Sequence, residues 1–430
     1  MSAKVFLAAA LAGILTAGAA AAATGAVRCG KLVDVRSGKE LSDQLVVFDD
    51  AGVITATGPA STTALPAGVI PRDLSALTCL PGLIDVHVHL THNASDHGYR
   101  ALGISVPREA TIGVKNARLT LMAGFTNVRN VGAQGFTDVA VRDAVDAGDV
   151  PGPRMQVSGP LIGITGGHCD ENLLPYEYHK TADGVADGPW AGRAKVREII
   201  KYGADLIKIC ASGGVLSKGD AAGAEQLTLE EMQAIVSEAH KLGRKVAAHA
   251  HGTQAIKDAI VAGVDSVEHS SLIDDEGIKL AKAHGTYLVF DIYNDDFILG
   301  EGLKNGMLPE SIEKEKKIGR LQRENFRKAV KAGARMAFGT DAGVYPHGDN
   351  ARQFAKMVEW GMKPIDAIRA ATINAADLMG WSDKVGELSP GHYADLIAVA
   401  ADPLSDVHVL EQVLFVMKGG VMVKTETGAR

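Results

Sequence analysis

Leu80-Pro-Gly-Leu-Ile-Asp-Val-His-Val-His-Leu90 is an apolar strand run that carries two imidazoles, His87 and His89, two residues apart. Side chains alternate across a strand, so both rings point the same way. A borderline metal such as zinc gains two pre-aimed ligands from such an element. On its own the pair reads equally well as two polar residues on the wet face of a strand, and the rest of the chain decides between the readings.

Outward from this run, strand-like and helix-like stretches alternate eight times. Candidate strands lie at residues 84–89, 126–130, 154–158, 206–210, 246–250, 266–269, 287–291 and 336–339, with amphipathic helical stretches such as 229–242 and 313–332. Eight βα units predict an α/β fold of the (β/α)8 TIM-like barrel type, in which function sits at the C-terminal ends of the strands. A doubly wound sheet is the alternative architecture, but no Gly-x-Gly-x-x-Gly follows the first of these strands. Near the start, residues 26–34, 44–48 and 53–57 read as a small antiparallel sheet, and 394–399, 407–409 and 414–422 near the end are similar short β-branched runs. Together they predict a β-sandwich domain built from both termini, residues 24–80 plus 384–430, around a barrel at 81–383. Residues 159–190 form a glycine-, proline- and aspartate-rich connection, long enough to predict a lid over the barrel mouth.

Composition narrows the function. A chain of 430 residues with 46% hydrophobic content is not disordered, and a net charge of −7 provides no basic stripe for nucleic acid. A small-molecule or dipeptide substrate is therefore expected. Residues 1–23 run from Lys4 through an apolar stretch into an alanine tract. This reads as a signal peptide cleaved near residues 21–23, so the protein is expected to be exported, periplasmic or secreted, without stable membrane insertion once the leader is removed. An N-terminal membrane anchor is the other reading. Export makes disulfides possible. Cys29 and Cys79, both outside the barrel region, suggest one bridge, and Cys169 and Cys210 are expected as free thiols, although four cysteines allow three full pairings.

Further polar residues stand where apolar strand runs give way to glycine or serine. Ala204-Asp-Leu-Ile-Lys-Ile-Cys-Ala-Ser-Gly-Gly214 holds Lys208 inside an apolar strand. Burying an ammonium there requires a partner or loss of the charge. Lys208 is thus either salt-bridged to a neighbouring strand or a neutral amine able to add CO2 and become an anionic bridging ligand. Val246-Ala-Ala-His-Ala-His-Gly252 supplies His249 and His251, Val264-Asp-Ser-Val-Glu-His-Ser270 supplies His269, and Phe338-Gly-Thr-Asp-Ala-Gly343 supplies Asp341.

This combination resembles the metal-dependent amidohydrolase superfamily over nearly everything after the leader. The resemblance implies a two-metal site: His87, His89 and Asp341 on the more buried ion, His249 and His269 on the more exposed one, and carboxylated Lys208 bridging them. Two divalent ions, zinc by default, would share a hydroxide, Asp341 would accept and return its proton, and His251 would reach the substrate, unless it caps the following helix. The His-Ala-His-Gly run and Gly166-Gly-His168 resemble the branch containing prolidase-like dipeptidases, imidazolonepropionase relatives and ochratoxin-hydrolysing amidohydrolases. That likeness implies a hydrolase of dipeptides or N-acyl amino acids, with His168 and His347 against the substrate, and, by analogy, a homo-oligomer. A cyclic amidase on the same scaffold and a non-catalytic barrel are the alternatives. The latter would be expected to lack ligands that this chain keeps.

Overall fold

The computed structural model describes residues 24–425, so the leader and its expected cleavage site lie outside the described residues. The chain opens with β1 (Gly25–Asp34), β2 (Lys39–Phe48), β3 (Ile54–Pro59) and β4 (Arg72–Pro81). Parallel strands follow: β5 (Leu83–Val88), β6 (Phe125–Asn130), β7 (Arg154–Val157), β8 (Leu206–Cys210), β9 (Lys245–Ala250), β10 (Ser266–His269) and β11 (Tyr287–Val289). The chain closes with β12 (Leu396–Val399), β13 (Phe415–Lys418) and β14 (Val421–Lys424).

Strands from both ends meet, as expected, but in one mixed seven-stranded sheet of order β14-β13-β12-β4-β1-β2-β3. It is not purely antiparallel, because β1 pairs in parallel with β4, a strand whose mixed polar and apolar sequence hid it. Cys29 and Cys79 join these two strands, with Cα atoms 5.9 Å apart. Residues 407–409, expected as strand, instead lie in a short 3-10 helix, Val407–Glu411, because the Asp406 side chain accepts from the His408 amide and turns the backbone.

The Leu80–Leu90 run holds the end of β4 and the whole of β5. Gly82 separates β4 from β5 where a Cβ would stand 2.1 Å from Oγ1 of Thr126, so only glycine permits this approach to β6. Strands β5-β6-β7 and β11-β10-β9-β8 form two parallel arcs. Hydrogen bonds link the arcs on one side, from the Asp205 amide to the Val157 carbonyl and from the Ile162 amide to the Lys208 carbonyl. On the other side the Leu288 amide donates to Arg335 and the Val86 amide to Phe338. Segment 336–339 therefore makes the expected connection without becoming a regular strand: Gly339 packs against Val289 and His87, and the Thr340 and Asp341 amides both turn onto the His87 carbonyl. Buried aliphatic side chains such as Val128, Ile207, Val246 and Val267 fill the space against the surrounding helices. Among those helices, Leu229–Lys241 is started by a reciprocal capping box of Thr228 and Glu231.

Candidate active site

All six predicted ligand residues line one cavity of about 380 Å3. His87 is the penultimate residue of β5 and His89 follows its end. Both Nε2 atoms approach the same Asp341 oxygen, at 3.4 and 3.2 Å. Potential ligand atoms of His87, His89 and Asp341 lie within 4.8 Å of one another, as do those of His249, His251 and His269, and those of His269, Asp291 and Asp341. The rings of His249 and His269 are 4.6 Å apart, and those of His87 and His269 4.9 Å.

Two atoms show that this donor set suits a bound cation. Lys208 Nζ and His249 Nε2 are both buried with no hydrogen-bond partner among the described residues. Such groups are costly in a finished interior. Burial, aided by the Arg129 charge and opposed by that of Glu268, lowers the Lys208 pKa to about 8, so a neutral amine is accessible near neutrality. Burial also keeps the His249 imidazole neutral, the form that ligates metals. Burial alone would raise the Asp341 carboxyl, but His87 and His89 beside it more than reverse this and hold it well below the usual carboxylate range. The salt-bridged reading of Lys208 finds no support, since no carboxylate lies within salt-bridge distance of its ammonium among the described residues.

The backbone beneath these groups is held in an unusual conformation. His269 and Asp341 have φ of 66° and 56°, the left-handed region that side chains other than glycine seldom enter. Strain of about 1–3 kcal/mol per residue persists only where the surroundings over-determine it. Around Asp341, Asp85 does this by accepting from Oγ1 of Thr340 at 2.6 Å and from Asn350 at 2.8 Å, while its other oxygen takes the His87 amide. Around His269, Asp291 lies 2.9 Å from Nδ1 and is itself bound by Gln322 and Asn294.

His251 faces the same cavity, with Nδ1 2.8 Å from Oγ of Ser271. It does not cap the next helix, whose N-cap is Gly252 with no side-chain cap bond. His168 stacks on His249 at 4.0 Å. Because Ser217 donates to Asp220 at 2.6 Å, the 2.9 Å contact with Ser217 is made by Nδ1–H of His168, leaving Nε2 as an acceptor. His347 is placed differently, outside the cavity wall. Its Nε2 donates to the His89 carbonyl at 3.1 Å and its Nδ1 meets Oγ1 of Thr120 at 3.3 Å, so it braces the backbone at His89.

The connection at 159–190 does contribute to the wall, through Leu161, His168, Leu173 and Asp183 among others. Contrary to the expectation of free thiols, Cys169 and Cys210 are paired, with Cα atoms 6.2 Å apart. The reason is local. Ile162 pairs with the backbone of β8, which lays the next residues alongside that strand. Sequence reasoning also passed over Glu268, Arg129, Asp85 and Asp291. Asp291 carried a usable signal, being a carboxylate at the end of the apolar stretch Tyr287-Leu-Val-Phe-Asp291.

Comparison with known proteins agrees with this geometry. Residues 78–423 match the model described as Amidohydrolase family. The ochratoxinase of Aspergillus niger is 34% identical over 369 residues, covering 80% of this chain and 75% of that protein. Imidazolonepropionase of Deinococcus deserti is 25% identical over 403 residues, covering 85% and 89%. The crystal structure of a Xaa-Pro dipeptidase with methionine bound in its active site superposes with a TM-score of 0.88 at 37% identity, covering 94% of this chain and all of that one.

Proposed function

This chain belongs to the amidohydrolase family and is a hydrolase of amide bonds, and from that premise we propose that it is a binuclear metal-dependent enzyme cleaving dipeptides or N-acyl amino acids. The observation that carries this reading is the convergence of two groups of ligand side chains on one cavity, together with the buried, partnerless Nζ of Lys208. His87, His89 and Asp341 would hold one ion and His249 and His269 the other, with Lys208, carboxylated, as their common ligand. Two divalent ions, zinc by default, would supply a water acidic enough to be a nucleophile at neutral pH and a Lewis acid for the scissile carbonyl.

The protein's own groups do the rest. Asp341 is the proton acceptor, kept ionised by His87 and His89 and oriented through its second oxygen by Asn294 at 3.2 Å. The same carboxyl returns that proton to the leaving nitrogen. Nε2 of His168, free to accept, and the His251 ring bind and orient the substrate. The 159–190 segment supplies part of the wall against which the substrate rests, through Leu161, His168, Leu173 and Asp183. We take the parallel strands as a (β/α)8 barrel at 81–383, with the terminal sheet at 24–80 plus 384–430 as a separate domain. Export by way of the 1–23 leader and homo-oligomeric assembly belong to the same proposal.

Relatives named ochratoxinase and Xaa-Pro dipeptidase support substrates whose leaving amine is an amino acid. The imidazolonepropionase likeness supports a second reading, a cyclic amidase. Metal analysis combined with a turnover screen of dipeptides, N-acyl amino acids including ochratoxin-type amides, and cyclic amides decides between them. Hydrolysis of open amides with a free C-terminal carboxylate, much weakened on esterification, is expected. Equal rates on acid and ester, or a preference for hydantoins, would establish the cyclic amidase.

A further inference from the structure

One cavity-wall residue has no role in the chemistry above. Glu109 lies in the first turn of helix Val106–Met122, is only 6% exposed, and lines the cavity. Its Oε2 is buried without a hydrogen-bond partner, and no ion pair reaches the carboxyl among the described residues. The charged group that bears on it is another carboxylate, Asp183, from the 159–190 segment, which also lines the cavity. Burial, and then Asp183, push the Glu109 pKa up to about 7. An acid so placed is poorly satisfied by its own protein. A buried carboxylate is stable only when paired and hydrogen-bonded, and an unpaired one takes up a proton. Among the described residues the acid closes no hydrogen-bond network and bridges no pair of elements. The cavity wall also carries apolar side chains, Ile104, Ile112 and Leu161, and a low-polarity wall strengthens charge interactions made against it.

We propose that Glu109 is a specificity-determining residue that accepts a positively charged group of the substrate, an ammonium, in a subsite of the cavity whose wall also carries Asp183. The inference rests on the amide-hydrolase reading and narrows it to cationic substrates. The ammonium has two possible sources, the free N-terminus of a dipeptide or a basic side chain. Either would complete the missing pair as its neutral counterpart cannot.

Two matched probe pairs test this on the metal-loaded enzyme. Alanyl-phenylalanine and N-propionyl-phenylalanine differ by the N-terminal ammonium, and Nα-acetyl-lysine and Nα-acetyl-norleucine by a side-chain ammonium. The readout is kcat/KM, or Kd by calorimetry where a probe is not turned over. A charge-assisted hydrogen bond predicts a preference of about tenfold or more for the cationic member of one pair. Which pair shows it identifies the source. Glu109→Gln should bring that preference close to one while leaving the neutral member unchanged, and the neutral member's value doubles as a check on folding. Should Glu109→Gln not fold, Glu109→Asp must shrink the preference without abolishing it. Indifference of the wild type to both pairs overturns the proposal. So does a preference that survives Glu109→Gln, or one lost only in Glu315→Gln, a second buried acid on the cavity wall. An intact binding preference with no turnover of any amide would instead remove the hydrolase reading and leave the subsite standing.

Discussion

Nδ1 of His87 lies 3.0 Å from Oε2 of Glu268, the residue just before His269 in the chain. Glu268 and His269 are neighbours on β10, and the left-handed φ of His269 lets both act at one site: the histidine ring faces the cavity while the carboxylate sits behind His87. Burial would raise the Glu268 carboxyl, but Arg129 chiefly, then His87 and Lys208, hold it well below the usual range. A carboxylate behind a ligating imidazole fixes its tautomer and increases its basicity. Arg129 donates to the other Glu268 oxygen at 2.7 Å and to the Val86 carbonyl at 2.6 Å, tying β10 to β5 through a fully buried side chain.

Breaking this pair from one side leaves a buried charge uncompensated. Arg129→Met is expected to destabilise the protein by about 3–5 kcal/mol, read from denaturant unfolding of the metal-loaded form. A loss under about 1 kcal/mol would mean that the pair is not structural. Glu268→Gln keeps the shape but loses the charge behind His87, and should lower metal affinity roughly 10- to 100-fold.

Metal dependence is the broadest expectation. The purified enzyme should hold close to two divalent ions per chain, lose activity on chelation and regain it on adding back zinc. Full activity in a preparation shown by elemental analysis to be metal-free would reject the ligand assignment at His87, His89, Lys208, His249, His269 and Asp341.

Lys208 needs its own measurement. Lys208→Ala should remove most activity, and intact-mass or density data should reveal an added carboxyl group on the wild type. An unmodified ammonium paired to a carboxylate, with both metals bound, would return Lys208 to a purely structural role.

Much of the site was legible in the sequence because alternation along a strand is a strong rule. His87 and His89, and His249 and His251, share faces for that reason alone, and all four surround or line the cavity. What sits behind them was not legible. Asp85 and Glu268 share their strands with His87 and His269, and Arg129 stands in the mixed run Phe125-Thr-Asn-Val-Arg-Asn130, so nothing in local periodicity says that a charge at 129 meets one at 268. The pairing of Cys169 with Cys210 was missed for a related reason, since it depends on a loop residue, Ile162, adding itself to β8. The segment at 336–339 and the turn at 407–411 were misread because hydrogen bonds made by a side chain or by a distant carbonyl override strand propensity.

His347 and His168, both expected at the substrate, should now behave differently. His347→Ala removes the donor to the His89 carbonyl and is expected to lower metal content along with activity. His168→Ala removes a ring that stacks on His249 and presents Nε2 to the cavity. It should reduce turnover, with metal content unchanged. Identical metal content in the two variants would contradict the bracing role of His347.

The Cys169–Cys210 pair bears on the 159–190 segment. It joins the residue after His168 to β8, two residues beyond Lys208, across a sequence separation of 41 residues. Cross-linking a loop of this size stabilises a fold by roughly 2–4 kcal/mol, mainly by restricting the unfolded chain. The native consequence is separate: the bridge holds the segment carrying His168 against the strand carrying Lys208. The double variant Cys169→Ser, Cys210→Ser, which leaves the Cys29–Cys79 bridge in place, should therefore melt at a lower temperature and show a several-fold higher KM. Its metal content should not change, because neither cysteine is assigned as a ligand. If melting temperature falls while KM stays fixed, the bridge serves the fold alone and His168 is positioned by Ser217, which donates to Asp220, a carboxylate held in turn by Lys314 Nζ at 2.7 Å. If neither moves, the link between segment and strand has no part in holding either one.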